Sequence, residues 1–92
     1  MEGNVWVILP TYDEAENLEA VTGGIRAALP EAHILVVDDN SPDGTGRLAE
    51  DLGCEVLHRP AKEGLGRAYT AGFAHALDAG AAFAALRYAM TR

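Results

Sequence analysis

Three carboxylates lie in one short stretch, directly after an apolar run. Residues 34–37 are apolar and mostly β-branched, Asp38 and Asp39 follow at once, and Asp43 comes four residues later. Such a run is typical of a strand buried on both faces of a parallel sheet. Ligands of open α/β sheets bind outside the carboxyl ends of the strands, so these acids are candidates for accepting hydrogen bonds or holding a cation. The alternative is a solvated turn in which their oxygens satisfy nearby backbone N–H groups.

A second candidate group combines cations with glycines. Lys62, Gly64, Gly66 and Arg67 lie just before, or in the first turn of, a helix predicted from about residue 65 to 79 by its apolar periodicity. Glycines and cations at a helix N-terminus can approach phosphate groups through backbone N–H groups. A surface turn with solvated charges is the alternative for this group.

Two further motifs overlap the acidic stretch. Residues 39–50 match much of an EF-hand calcium loop, but the strand-like residues before them argue against it because an EF-hand needs a preceding helix. Residues 44–49 match a GxGxxA dinucleotide motif, with Glu63 near the expected distance. There Asp38, Asp39 and Asp43 would repel a pyrophosphate, so these glycines are expected to serve the turn.

The elements that position these residues alternate regularly. Residues 5–9 predict a first strand ended by Pro10, and Asp13 with Glu16 resembles a capping box that opens a helix running to Pro30. A strand at 34–37, a helix at 45–52, a strand at 55–58 and the helix at 65–79 follow, the last with Ala68, Gly72, Phe73, Ala76 and Leu77 on one side. The order β-α-β-α-β-α predicts an α/β fold, a Rossmann-like half-domain with a parallel sheet.

Composition limits the protein class. The chain has 92 residues, 49% of them hydrophobic, and a formal net charge of -7, which fits one globular domain and disfavours nucleic-acid binding. The single cysteine, Cys54, is expected to be a small buried residue of a reducing compartment. No secretory signal and no long apolar run is present, so a soluble, cytoplasmic protein is the expectation.

The last residues break the alternation. Residues 81–92 are rich in alanine and contain no acid, which predicts a helical tail rather than a fourth strand. The chain thus divides into residues 1–80, which hold the alternating strands and helices, and the atypical tail 81–92. A three-stranded sheet would leave an unpaired edge, and self-association through that edge is the expected consequence.

Three ordered motifs resemble a known family. They read PTYDEAENL at residues 10–18, VVDDNSPDGT at 36–45 and GLGRAY at 64–69, followed by Gly72 and Phe73. The motifs and their spacing closely resemble the N-terminal part of family-2 glycosyltransferases. They are most similar to dolichol-phosphate (polyprenol-phosphate) mannosyltransferases.

The resemblance implies an activity and a set of site residues. It implies a GT-A fold that takes mannose from GDP-mannose and transfers it, with inversion, to a polyprenyl phosphate at a membrane surface. Residues of the first loop and of the VDD segment would line the nucleotide pocket, and a basic, glycine-containing loop would lie near the nucleotide. The residues implied are Pro10, Tyr12, Glu14, Val37, Asp38, Asp39, Lys62 and Gly66.

The chain departs from the family after its third helix. The family continues with a strand and a DAD-type motif that binds Mg²⁺ or Mn²⁺ and the donor diphosphate, whereas residues 81–92 offer no acid, so no metal ligand is assigned. The expectation is a truncated or frame-shifted product with very slow transfer. A guanine-nucleotide-binding fragment without turnover and, last, a calcium-binding protein using residues 39–50 are the alternatives.

Overall fold

The protein is an α/β sheet structure, and its computed structural model describes residues 5–80 and 83–86. The strands are β1 (Val5–Thr11), β2 (His33–Asp38), β3 (Glu55–His58) and β4 (Phe83–Leu86). The helices are α1 (Ala15–Ala28), α2 (Thr45–Asp51) and α3 (Leu65–Asp78). All pairings are parallel and the strand order is β3-β2-β1-β4. The predicted α/β class and the β-α-β-α-β-α order are confirmed.

The two central strands bury both of their faces. Val7, Leu9 and Val36 pack with α1 and α2 on one side of the sheet, in a cluster that also contains Leu18 and Ala49. On the other side, the alternate strand residues form a second cluster with α3: Trp6, Ile8, Leu35, Val37, Ala68 and Ala76. Because strand side chains alternate between faces, an uninterrupted apolar run is what a sheet covered on both sides requires.

Close packing of α3 depends on a glycine. A Cβ atom at Gly72 would lie 2.5 Å from Ile8 Cγ2 and 3.1 Å from Val37 Cγ2. The helix can approach β1 and β2 this closely only because the position lacks a side chain. Of the residues predicted on this helix face, Leu77 is the exception: it is 65% exposed, because its position turns away from the sheet.

The helices begin differently from the capping pattern in the sequence. The N-cap of α1 is Glu14, with no side-chain cap bond of its own, so the predicted capping box of Asp13 and Glu16 is wrong. Instead, Asp13 has a φ of 55° and lies in the turn before the helix. The two longest described helices, α1 and α3, have 14 residues each. In the part of the chain that the structure describes, no helix is long and apolar enough to cross a membrane.

The segment predicted as a helical tail contains a strand. Residues Phe83–Leu86 form β4, which pairs with β1 in parallel from Val5↔Phe83 to Ile8↔Leu86. Pairing with a ready sheet edge outweighs the helical preference of alanine, which is a weak, local term. The other tail residues lie outside the described ranges. Since β4 covers this side of β1, the edge proposed for self-association is paired, and self-association itself stays a prediction.

Cys54 occupies the small buried position expected of it. It is 9% exposed and belongs to the core cluster beneath α1 and α2. Burial raises the pKa of its thiol, partly offset by the nearby Arg26, whose Nη2 lies 3.7 Å from Cys54 Sγ. The thiol is therefore a packing group rather than a reactive one.

Candidate functional site

Three loops meet at the carboxyl edge of the sheet. They are the β1–α1 loop (residues 12–14), the β2–α2 loop (39–44) and the β3–α3 loop (59–64). The register pairs Pro10 with Val37, Thr11 with Asp38, and Asp38 with His58. Most of the residues assigned to a site from the sequence therefore lie at one edge, where ligands of parallel α/β sheets bind.

Asp38 ties the strand ends to the following loop. Its Oδ1 accepts hydrogen bonds from Thr11 Oγ1 (3.0 Å) and Ser41 Oγ (2.6 Å), and its Oδ2 accepts one from the backbone N–H of Ser41 (3.0 Å). The residue is 3% exposed. With both oxygens bonded to the protein, Asp38 holds the β2–α2 loop against the end of β1.

The β2–α2 loop caps helix α1 from a distance in sequence. Backbone N–H groups at the start of α1 donate to three side chains of that loop and of α2: Asp13 N–H to Ser41 Oγ (2.9 Å), Glu14 N–H to Thr45 Oγ1 (3.0 Å) and Ala15 N–H to Asp43 Oδ2 (3.2 Å). The bond from Ala15 satisfies a donor that the first helical turn leaves unpaired, and the other two hold the residues that lead into the helix. The capping function assigned to Asp13 therefore belongs to the other loop.

Asp43 is the charged member of this cap. Burial acts to raise the pKa of its carboxyl, but hydrogen bonds from the Thr45 side chain and from the backbone N–H groups of Ala15 and Thr45 outweigh it and lower the pKa. Thr45 donates to Asp43 Oδ1 through both its hydroxyl and its backbone N–H. The ionised form is thus bound into the fold.

Asp39 has a different environment from its neighbour Asp38. Its side chain is 7% exposed, and its Oδ1 lies 3.5 Å from Arg59 Nη1. Both of these atoms are buried and make no hydrogen bond among the described residues. Burial raises the pKa of Asp39, and the charge of Arg59 opposes that rise. Asp39 is a buried carboxylate that the protein neutralises by charge without using its full capacity for hydrogen bonds.

Tyr12 and Lys62 bring the β1–α1 and β3–α3 loops into contact. Lys62 Nζ lies 4.6 Å from the centroid of the Tyr12 ring, within the range of a cation–π interaction. Glu14, the neighbouring N-cap residue of α1, has a buried Oε2 that makes no hydrogen bond among the described residues. An aromatic ring, a carboxylate and an ammonium group thus lie around the same loops as Asp39.

The remaining predicted site residues differ in what they can offer a ligand. Val37 is fully buried and its side chain packs in the α3 core cluster, so only its backbone can face the edge. Pro10 is buried beside it in β1. Gly66 lies in the first turn of α3, with open space where a side chain would stand. Its carbonyl oxygen accepts a hydrogen bond from Thr70 Oγ1 at 2.9 Å within the helix.

The calcium interpretation finds no support in these contacts. The side chains it would use have other partners: Asp39 faces Arg59, Ser41 bonds Asp38, and Asp43 caps α1. Glu50 Oε2 lies 2.8 Å from His58 Nε2. Across residues 5–80 and 83–86, no three His, Cys, Asp or Glu side chains converge where they could hold a metal ion.

Sequence reasoning missed Arg59. Arg59 comes directly after the strand predicted at 55–58, and it follows His58, which pairs with Asp38 in the sheet. A cation placed one residue beyond a strand, beside a neighbouring strand that ends in two acids, was the available signal. It becomes interpretable only when the strand order β3-β2-β1 is known.

Comparisons with known proteins agree on one family. The profile "Glycosyl transferase family 2" matches residues 6–83. The chain is 55% identical over 73 residues to a polyprenol monophosphomannose synthase of Mycolicibacterium smegmatis, covering 73% of this chain. It is 53% identical over 81 residues to an undecaprenyl-phosphate mannosyltransferase of Micrococcus luteus, covering 83% of this chain.

A solved structure supports the same relationship. A mannosyltransferase from Pyrobaculum calidifontis, in complex with GDP-Man and Mn²⁺, matches 78% of this chain with a TM-score of 0.67 and 28% sequence identity. The match covers 24% of that structure, and the two relatives are covered over 28% and 33% of their length. The chain thus spans a third or less of each protein that it matches.

Proposed function

The chain belongs to glycosyl transferase family 2, and on that premise we propose that it supplies the nucleotide-binding part of a mannosyltransferase. The donor would be GDP-mannose and the acceptor a polyprenyl phosphate, with inversion at the sugar carbon. One observation carries the proposal: a buried carboxylate, Asp39, lies at the same sheet edge as the β1–α1 loop with Tyr12 and Glu14. The chain that holds it is similar to a polyprenol monophosphomannose synthase and an undecaprenyl-phosphate mannosyltransferase.

The side chains at this edge suit a nucleoside. The Tyr12 ring can stack on the guanine base or pack against the ribose. The carboxylates of Asp39 and Glu14 can accept hydrogen bonds from a guanine N–H or a ribose hydroxyl. Pro10 and Val37 would contribute backbone and ring surface, while Asp38 keeps the loop in shape.

The diphosphate would lie toward the start of α3. Lys62 supplies a cation, and Gly66 leaves the backbone of the first helical turn open to an anion. In the ligand-free structure, Lys62 rests over the Tyr12 ring. We expect Lys62 to exchange this contact for the phosphate when the nucleotide binds.

The described residues do not provide a binding site for the divalent metal of the reaction. The related structure contains Mn²⁺ with GDP-Man, which supports metal use by the whole enzyme. No group of three potential ligands exists among the residues described here, so no Mg²⁺ or Mn²⁺ contact is assigned to them. Contact of the enzyme with a membrane surface follows from the lipid acceptor and belongs to the same proposal.

Nucleotide binding without sugar transfer is the second candidate. It is favoured because the nucleoside contacts proposed for Tyr12, Glu14 and Asp39 require no metal ion. The two candidates differ in one respect, since only the first requires mannose to reach a lipid phosphate.

Calorimetric titration of the 92-residue chain tests both. We expect GDP and GDP-mannose to bind without Mn²⁺ and more tightly than ADP, and Asp39→Asn to weaken that binding. Glu19→Gln is the matched control, because it removes one charge from an exposed position of α1. No binding at about 1 mM nucleotide would refute the proposal. An assay with a short polyprenyl phosphate then separates transfer from binding alone.

A further inference from the structure

Arg59 is set apart from the other cations of the chain. Among the lysines and arginines in the described ranges, it alone is not exposed, and its side chain is 12% accessible. Its backbone N–H donates to the carbonyl oxygen of Asp38 at 2.8 Å, directly after the last β2–β3 pair. This backbone hydrogen bond therefore fixes the start of the Arg59 side chain next to Asp38 and Asp39.

The guanidinium divides its contacts between two carboxylates. Nη2 donates to Glu63 Oε1 at 2.8 Å, whereas Nη1 lies 3.5 Å from Asp39 Oδ1 without forming a hydrogen bond. The contact with Asp39 is thus one of charge. Because both atoms are buried, water screens this interaction poorly and it persists without hydrogen-bond geometry.

The charges around Asp39 oppose one another. Burial, Asp38 on β2 and Glu63 in the β3–α3 loop all raise the pKa of Asp39, whereas Arg59 and the backbone N–H of Glu63 lower it. On the side of β1, the contact is a backbone one, from Asp39 N–H to Thr11 O at 3.3 Å. Arg59 is the one cationic side chain in this balance.

We propose that Arg59 is a positioning residue whose buried guanidinium holds the Asp39 carboxylate as an acceptor for a donor group of the nucleoside. The inference rests on the proposed function, in which Asp39 accepts a hydrogen bond from a base N–H or a ribose hydroxyl. Only the ionised carboxylate is purely an acceptor, since a protonated one presents an O–H toward the same ligand donor. Arg59 therefore acts on nucleotide affinity through the charge state of Asp39.

Glu63 gives the proposal a second, opposite prediction. Its carboxylate draws one arm of the guanidinium away and adds a like charge near Asp39. Removing that charge leaves Arg59 with Asp39 as its acidic partner in this cluster. Arg59→Gln should raise the pKa of Asp39, and Glu63→Gln should lower it.

The test measures the two consequences separately. Carbon-13 NMR of labelled aspartate carboxyl groups follows the titration of Asp39 without any nucleotide, and calorimetry follows GDP affinity from about pH 4 to about pH 8. We expect Arg59→Gln to bind GDP about tenfold more weakly than wild type, with the loss of affinity on acidification beginning at higher pH. Arg59→Lys, which keeps the charge, should recover most of the affinity.

Arg47→Gln is the matched control, because it removes the same charge from an exposed position of α2. It should change neither the Asp39 titration nor GDP affinity. Circular dichroism confirms that each variant is folded, and if Arg59→Gln does not fold, the opposite shift in Glu63→Gln decides. An Asp39 pKa that moves in neither variant, or equal affinity losses in Arg59→Lys and Arg59→Gln, would overturn the inference.

Failure of the proposed function has a different signature. A wild-type chain that binds no GDP refutes the nucleotide site, whatever the NMR titration shows. If GDP binds but the Asp39 titration is unaffected by Arg59, the nucleotide site stands and the positioning role is wrong.

Discussion

The β2–α2 and β3–α3 loops flank the same edge of the sheet, but they are held in contrasting ways. The first, residues 39–44, is fastened by hydrogen bonds: backbone N–H groups of residues 13–15 donate to the side chains of Ser41, Asp43 and Thr45. Within the loop, Ser41 Oγ donates to Asp38 Oδ1. The second, residues 59–64, meets the site through charge: Arg59 with Asp39, and Lys62 over Tyr12. Hydrogen bonds demand fixed geometry, whereas charge contacts tolerate movement of the partners.

The contrast explains why two adjacent aspartates have separate duties. Both carboxylate oxygens of Asp38 accept hydrogen bonds from the protein, whereas Asp39 Oδ1 makes no hydrogen bond among the described residues. A site can hold a ligand in one orientation only when some polar groups bond to the protein and others remain available to bond to the ligand. Substitutions at the two aspartates should therefore have different effects on the protein.

The largest expected effect separates the two acids. Asp38→Ala removes the acceptor for three hydrogen bonds in a buried position, so we expect the free energy of unfolding to fall by about 3 kcal/mol. Asp39→Ala should cost less, about 1–2 kcal/mol, because it removes one charge contact and leaves Arg59 with Glu63 as its remaining partner. Urea denaturation followed by circular dichroism measures both, and equal losses would contradict the division of roles.

Two glycines sharpen the same contrast. A Cβ at Gly46, at the start of α2, would lie 2.9 Å from His58 Cε1 and 3.0 Å from Asp38 Oδ2, so Gly46→Ala should destabilise the fold by about 1–2 kcal/mol. A Cβ at Gly66 would have no atom within 4 Å, so Gly66→Ala should raise the free energy of unfolding by about 0.5 kcal/mol through helix propensity. Thermal unfolding of the pair tests this; a stabilising Gly46→Ala would show that the framework is looser than its contacts suggest.

The acid dependence of stability should follow Asp43. Its pKa in the fold lies below the usual 3.8, so its stabilisation is complete above that value and is lost as the pH falls through the lower, folded pKa. Asp43→Ala should cost about 1 kcal/mol at neutral pH and should show a smaller further loss on acidification. Denaturation midpoints of wild type and variant measured below about pH 5 check this direction. If both lose stability equally on acidification, Asp43 does not stabilise the start of α1.

The smallest effect is expected in the charge-held loop. Lys62→Met keeps the length of the side chain but removes the cation over Tyr12, so stability should change by only about 0.5 kcal/mol. GDP binding should weaken more visibly, because the proposed phosphate contact is lost. Calorimetry beside thermal unfolding measures both, and a large loss of stability would place Lys62 in the framework instead.

Much of the fold was accessible from residue patterns. Apolar β-branched runs and helical periodicity located β1, β2, β3 and the three helices because these signals depend on local burial alone. The prediction of a helical tail at residues 81–92 was wrong because it also relied on a local signal. Alanine favours a helix locally, yet residues Phe83–Leu86 pair with β1, and the free edge that decides this belongs to residues far away in the chain.

By itself, the sequence determined that an acidic turn follows a buried strand of an α/β sheet, because strand periodicity and turn chemistry are written in neighbouring residues. Only the tertiary structure decided which aspartate serves the fold and which faces a charge partner. The cap of α1 comes from a loop 28 residues away, and Arg59 reaches Asp39 through strand order rather than sequence proximity. Such roles depend on partners that only folding brings together.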